Sequence, residues 1–257
     1  MADKLRLGGM ALRNGVLVHG PTTWGCAVRL PDGSLKVAAE RKRFVASQIK
    51  NPLLRGPARL AEALAVLPAV KRRLPEAKLP FEQPWIIGAM AASAVFVRVV
   101  RGSRLKPAAQ ELTAGLLALA PALLSLRGKD LAAYHGAEHI SIGTYEHDEP
   151  RAREHERCGS HLIGPLLATT AAANAVASTA PLRFRGLARA AASLGAIAAS
   201  TELFGWMVRN PENKLSRALA KPGHELQHRY ATKEPSPEQV EVAEAALGAF
   251  LELEESP

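Results

Sequence analysis

The sequence predicts an α+β protein, with a small N-terminal antiparallel β region followed by a mainly α-helical, membrane-associated bundle. Three observations predict it. Turn dipeptides punctuate the first forty residues, four uncharged apolar segments follow residue 84, and five of the eight histidines fall within residues 135–161.

Residues 1–50 read as a β-hairpin region. Asn14-Gly15 stands between MALR and VLVHG, and Pro31-Asp32-Gly33 stands between WGCAVRL and SLKVAAE, each a turn signal flanked by strand-forming residues. Gly8, Gly9, Gly15 and Gly20 read as turn glycines. Residues 51–84 read as a proline-rich basic linker or collar, because Pro52, Pro57, Pro68, Pro75, Pro80 and Pro84 predict only short helices. Residues 85–234 form the helical domain. Its uncharged segments are Trp85 to Val97, Leu112 to Leu126, Leu162 to Leu182 and Ala190 to Thr201. Only the third reaches the roughly 20 residues that cross a bilayer unaided, so the apolar lengths fit either membrane helices or the buried helices of a bundle. Residues 235–257 read as a C-terminal amphipathic helix. Val240, Val242, Ala243, Ala246, Leu247, Phe250 and Leu251 fall largely on one stripe, which suggests a helix docked on the outside of the fold.

At 47% hydrophobic and 22% charged residues, the composition excludes a wholly disordered chain. The net charge of +9 is concentrated in residues 1–80, where fifteen Lys or Arg face five acids. Such a block attracts polyanions, either nucleic acid or the anionic inner face of a membrane, and the second would place the N-terminal region on the cytoplasmic side. Nucleic acid is the weaker alternative, because the block lacks interleaved aromatics and any recognition motif. Two cysteines, Cys26 and Cys158, are too few for a disulfide framework. Residues 1–13 are broken by charge and glycine, so no signal peptide is expected there.

The chemistry concentrates at Tyr134-His135-Gly136-Ala137-Glu138-His139. On a helix, residues four apart share a face, so His135 and His139 can aim at one point with Glu138 beside them. This H-x-x-E-H spacing suits a divalent metal, with zinc expected, and Glu138 as the base toward the attacking water. A catalytic zinc takes a third protein ligand. Glu202 is the candidate, because a carboxylate within the apolar SLGAIAASTELFGW is costly unless compensated. Arg157 could neutralise an oxyanion, and Tyr134 or Tyr145 could hydrogen-bond it. Glu146, His155 and Cys158 are further candidates, although Cys158 alone reads as a small buried side chain. A polar loop whose histidines are satisfied by carboxylates is the competing explanation of the cluster.

Four ordered motifs carry a resemblance. They are Gly8-Gly9-Met10-Ala11 with Asn14-Gly15-Val16 and Gly20-Pro21, then YHGAEH with Tyr145-Glu146, then His155-Glu156-Arg157-Cys158-Gly159-Ser160, and finally Lys221-Pro222-Gly223 with Gln227, Thr232, Glu234-Pro235 and Val242 to Leu247. They resemble the bacterial YqhQ family of membrane proteins, described as candidate metal-dependent enzymes. The resemblance implies several membrane helices, a small β region and a polar site around YHGAEH and the RCG segment. It places His135, Glu138, His139, Glu146, His155, Arg157, Cys158 and Glu202 at family positions. Met10, Asn14, Gly143 and His161 depart from the family's usual Gln, Glu, His and Ser. The expected activity is a metal-dependent hydrolysis at the membrane surface, of a peptide, lipid or phosphate ester. The alternative is a non-catalytic membrane scaffold with a structural metal or a His/Glu network.

Overall fold

The structure is a computed structural model that describes residues 4–43, 46–125 and 128–256. Its first unit is a four-stranded antiparallel meander. The strands β1 (Gly8–Leu12), β2 (Gly15–His19), β3 (Thr23–Arg29) and β4 (Leu35–Arg41) lie side by side in sequence order. Because side chains alternate along a strand, the sheet has two apolar faces. Val16, Val18 and Ala27 face one side, while Leu17, Trp24, Cys26 and Val28 face the other.

The first face is covered by two helices, α4 (Lys129–His147) and α8 (Pro237–Glu254). The stripe on α8 is therefore core rather than outer surface, with Val242, Ala243, Ala246 and Phe250 all fully buried. Burying one such large apolar side chain contributes about 1.5–3 kcal/mol. Gly25 permits this docking, because a Cβ there would collide with the backbone of α8 at Ala246 and Phe250. The second face is covered by the C-terminal half of α1 (Pro52–Arg73), through Val66, Leu67 and Val70.

The expected collar of short helices is instead the single 22-residue α1. Asn51 caps it by accepting from the Leu53 N–H, and Pro52 occupies the first turn, where a missing donor costs nothing. Pro57 and Pro68 lie inside the helix, and burial against the sheet outweighs the bonds they remove. The first turn also differs by one position. Arg13 and Asn14 form it, and Gly15 opens β2, where a Cβ would meet the Ala27 carbonyl. The second hairpin turns as expected at Pro31-Asp32-Gly33, with Gly33 at φ 87° and Ser34 N–H donating to the Asp32 side chain.

The helical unit contains two hairpins, α2 (Pro84–Arg101) with α3 (Pro107–Ser125), and α5 (Ile163–Ser178) with α6 (Arg185–Arg209). Then come α7 (Lys214–Leu226) and a π-helical turn, Gln227–Ala231. Among the described residues, two helical stretches are long and apolar enough to cross a membrane, Pro84–Arg101 and Leu182–Arg209. Only 6% of the first is buried, which leaves Ile87, Met90, Val95, Phe96 and Val99 on an open apolar face. The apolar run Leu162 to Leu182 does not become one span, because α5 ends at Ser178 and Pro181 separates it from α6. Its 16 residues rise about 24 Å, short of a hydrocarbon core of about 30 Å. Leu126, the end of the second apolar run, lies outside the described residues. The axes of α3 and α4 lie at 93° to each other, and α4 packs against the sheet and α8.

Candidate metal centre

α4 carries the site because it lies between the sheet and a returning segment of chain. Lys233 N–H donates to the Ala132 carbonyl at 2.9 Å, and Gly136 allows the approach, since a Cβ there would strike the Lys233 carbonyl oxygen. The segment thereby brings Ala231 O to 2.9 Å from His135 Nδ1. One turn along the helix, His139 Nδ1 lies 2.7 Å from Arg153 O. Each imidazole therefore holds its Nδ1 proton against a backbone carbonyl, which leaves both Nε2 lone pairs free.

Those lone pairs converge on Cys158. Its Sγ lies 3.6 Å from His135 Nε2, and the ligand atoms of His135, His139 and Cys158 all lie within 4.8 Å of one another. The two rings are tilted by 59° with centroids 4.3 Å apart, which suits a shared ion better than ring stacking. Two imidazoles and one thiolate form a donor set that fits zinc, with room for a fourth ligand. Cys26 is no competitor, because burial pushes its thiol up to about 12.

Glu138 lies beside the three ligands. Its carboxylate is 3.9 Å from His135 Nε2 and is nearly enclosed. Burial raises its pKa, and the nearby His135 and His155 oppose that shift only in part. Burial likewise lowers the pKa of His139, favouring the neutral ring that binds metal. A cavity of about 410 Å³ opens in front of this group, with Gly9, His135, Glu138, His139, Arg157 and Cys158 in its wall.

Other expected residues take supporting places or none. Glu146 pairs with Arg157 and lies 3.3 Å from His155 Nε2, and it accepts from Leu7 N–H at 3.2 Å. Burial acts against its ionisation, yet these three partners hold the carboxyl below the ordinary glutamate value. His155 Nδ1 accepts the Arg157 N–H at 3.3 Å, so both of its nitrogens are engaged and neither is left for a metal. Arg157 remains in the wall of the cavity.

Glu202 and Tyr134 do not join the site. Glu202 sits on α6, and its two carboxylate oxygens pair with the Arg55 guanidinium of α1. An arginine, rather than a metal, compensates this partly exposed charge. Tyr134 packs among the apolar residues beneath the sheet, where burial raises its phenol against a contact with Arg29. A residue one position from a ligand points about 100° away around a helix, and here that direction is the core.

The sequence reading missed three contributors. Gly9 lies in β1 rather than in a turn, and a Cβ there would overlap the Glu138 carboxylate. His19 lines the same cavity, with burial, then Lys42, lowering its pKa to about 4. Gln227 is fully buried in the π-helical turn and holds the loop that carries Cys158. It accepts from His155 N–H at 2.9 Å and donates to His155 O at 3.2 Å and to Ser160 Oγ at 2.8 Å.

Residues 127–253 match the family described as "Protein of unknown function (DUF1385)". The chain is 33% identical over 134 residues to the "Uncharacterized protein YqhQ" of Bacillus subtilis (strain 168), a match that covers 49% of this chain and 42% of that protein. The match thus spans less than half the relative's own length. No solved structure matches the chain.

Proposed function

We propose, from the match of residues 127–253 to the DUF1385 family, that this chain is a membrane-associated, metal-dependent hydrolase. His135, His139 and Cys158 would hold a divalent ion, zinc by their chemistry. The observation that carries this reading is that both Nδ1 atoms are committed to backbone carbonyls, leaving two Nε2 atoms and one thiol to converge beside a cavity.

A bound zinc supplies Lewis acidity toward a carbonyl or phosphoryl oxygen and favours ionisation of water near neutral pH. The chain's own residues do the rest. Glu138 takes the proton of the attacking water and returns it to the leaving group. Arg157, held by Glu146, adds positive charge at the cavity wall for a developing oxyanion. Three ligands beside an open cavity favour catalysis over a purely structural ion, which normally has four protein ligands.

Elemental analysis of the purified full-length chain tests the centre. The expected result is about one zinc per chain in the wild type, little in the His135→Ala, His139→Ala double variant, and reduced content in Cys158→Ala. Equal content in all three removes the centre, and copper as the bound ion overturns the hydrolytic reading. Glu138→Gln should retain the metal and lose about 10²- to 10⁴-fold in turnover on whichever ester or peptide the wild type cleaves.

A further inference from the structure

The molecule has a second, larger cavity of about 770 Å³. It shares His155 and Arg157 with the metal-site cavity, but its remaining wall is different. One side is α7, where Arg217, Lys221 and His224 recur at helical spacing and so present a line of nitrogen donors. Arg6 adds a further cation from the N-terminal segment. The carboxylates in the wall do not cancel these charges, because they are engaged elsewhere. Glu154 pairs with His228 at 3.1 Å and Arg153 at 3.4 Å, and Glu156 pairs with His147 at 3.4 Å and Arg151 at 3.5 Å. Arg6 and Lys221 make no ion pair among the described residues, and Arg217 meets Glu212, outside the cavity wall, only at 3.9 Å.

Ser216 provides an independent observation. It is 2% exposed and lines the cavity, and its hydroxyl has no hydrogen-bond partner among the described residues. A buried hydroxyl without a partner costs about 1–3 kcal/mol, which a bound acceptor would relieve. The opposite side of the cavity is apolar, formed by Phe204, Met207 and Val208 near the end of the span Leu182–Arg209. The volume lies within the range of about 300–1,000 Å³ typical of small-molecule sites.

We propose that this cavity binds a phosphate group, with the α7 cations and Ser216 as donors and the α6 wall receiving an attached apolar chain. Arginine and lysine both suit a phosphate, and the apolar wall suits the first carbons of a lipid. None of the three candidate metal ligands lines it, although it shares His155 and Arg157 with the metal-site cavity. The phosphate could come from a lipid headgroup or from a soluble phosphate ester, and the test separates these sources.

The experiment titrates the full chain, in uncharged detergent, with inorganic phosphate, dihexanoyl phosphatidate and dihexanoylglycerol. Phosphatidate should bind the wild type. The Arg217→Ala, Lys221→Ala double variant should bind it at least about tenfold more weakly, and Ser216→Ala several-fold more weakly. Phosphatidate binding tighter than inorganic phosphate identifies a lipid headgroup, and equal affinities identify a soluble phosphate ester. The proposal is overturned if neither phosphate probe binds, if the double variant binds as the wild type does, or if dihexanoylglycerol binds equally well. Arg217 and Lys221 are exposed, so an unchanged thermal unfolding curve separates loss of the site from loss of the fold.

Discussion

At Gly9 the backbone of β1 runs against the Glu138 carboxylate, and at Gly136 the Lys233 carbonyl runs against α4. The first contact encloses the candidate base, and the second positions the carbonyl that orients His135. Gly9→Ala should therefore lower unfolding stability by about 1–3 kcal/mol, measured by thermal or denaturant unfolding, because one added carbon must displace a buried carboxylate. An unchanged midpoint would show that Glu138 has room to move. Glu146 allows a second residue-scale prediction. Its folded pKa is depressed, so its contribution is complete above the ordinary glutamate range and is lost as pH falls through the folded value. Glu146→Gln should flatten the acid limb of the stability-versus-pH curve, whereas a limb identical to that of the wild type would place the acid sensitivity elsewhere. The histidine pair and Glu138 were legible in the sequence because helical periodicity alone places them on one side. Cys158 was legible only as one candidate among several, because its meeting with His135 joins residues 23 apart.

Among the elements, the loop of residues 150–160 has little regular structure and yet presents Cys158 and Arg157. Gln227 compensates by pairing with both backbone groups of His155, as a neighbouring strand would. Gln227→Ala would leave the His155 N–H without its partner and the His155 carbonyl with only the Cys158 N–H as donor. The expected loss is about 1–3 kcal/mol of stability, together with faster proteolysis within residues 150–160, read by limited digestion. Digestion at the wild-type rate would mean that the loop is held by other contacts. α1 and α8 show how far element reading reaches. The apolar stripe of α8 was legible, but its burial between sheet and α4 was not, because a stripe specifies a face and not its partner. The prolines of α1 suggested interruption, whereas tertiary burial held a 22-residue helix together.

For the whole molecule, the sheet unit and the helical unit are joined through α1, which covers the sheet at one end and meets α6 at the other. There the Arg55–Glu202 pair and the close approach of Gly56 to Thr201 fix the crossing. The uncovered apolar faces of Pro84–Arg101 and Leu182–Arg209 lead us to expect that the chain stays with bacterial membranes through an alkaline carbonate wash. Release into the supernatant, followed by immunoblot, would instead indicate peripheral attachment. The sequence by itself determined the α+β order, the two hairpins near the N-terminus, the apolar character of the helical unit and the His135–Glu138–His139 face. All of these follow from local turn chemistry, from side-chain period and from length. Only the tertiary structure decided that Cys158 completes the group, that Glu202 belongs to Arg55, and that glycines 9 and 136 bring backbone against the site. Each of those depends on chain segments far apart in sequence meeting in space, and no local pattern encodes which segments will meet.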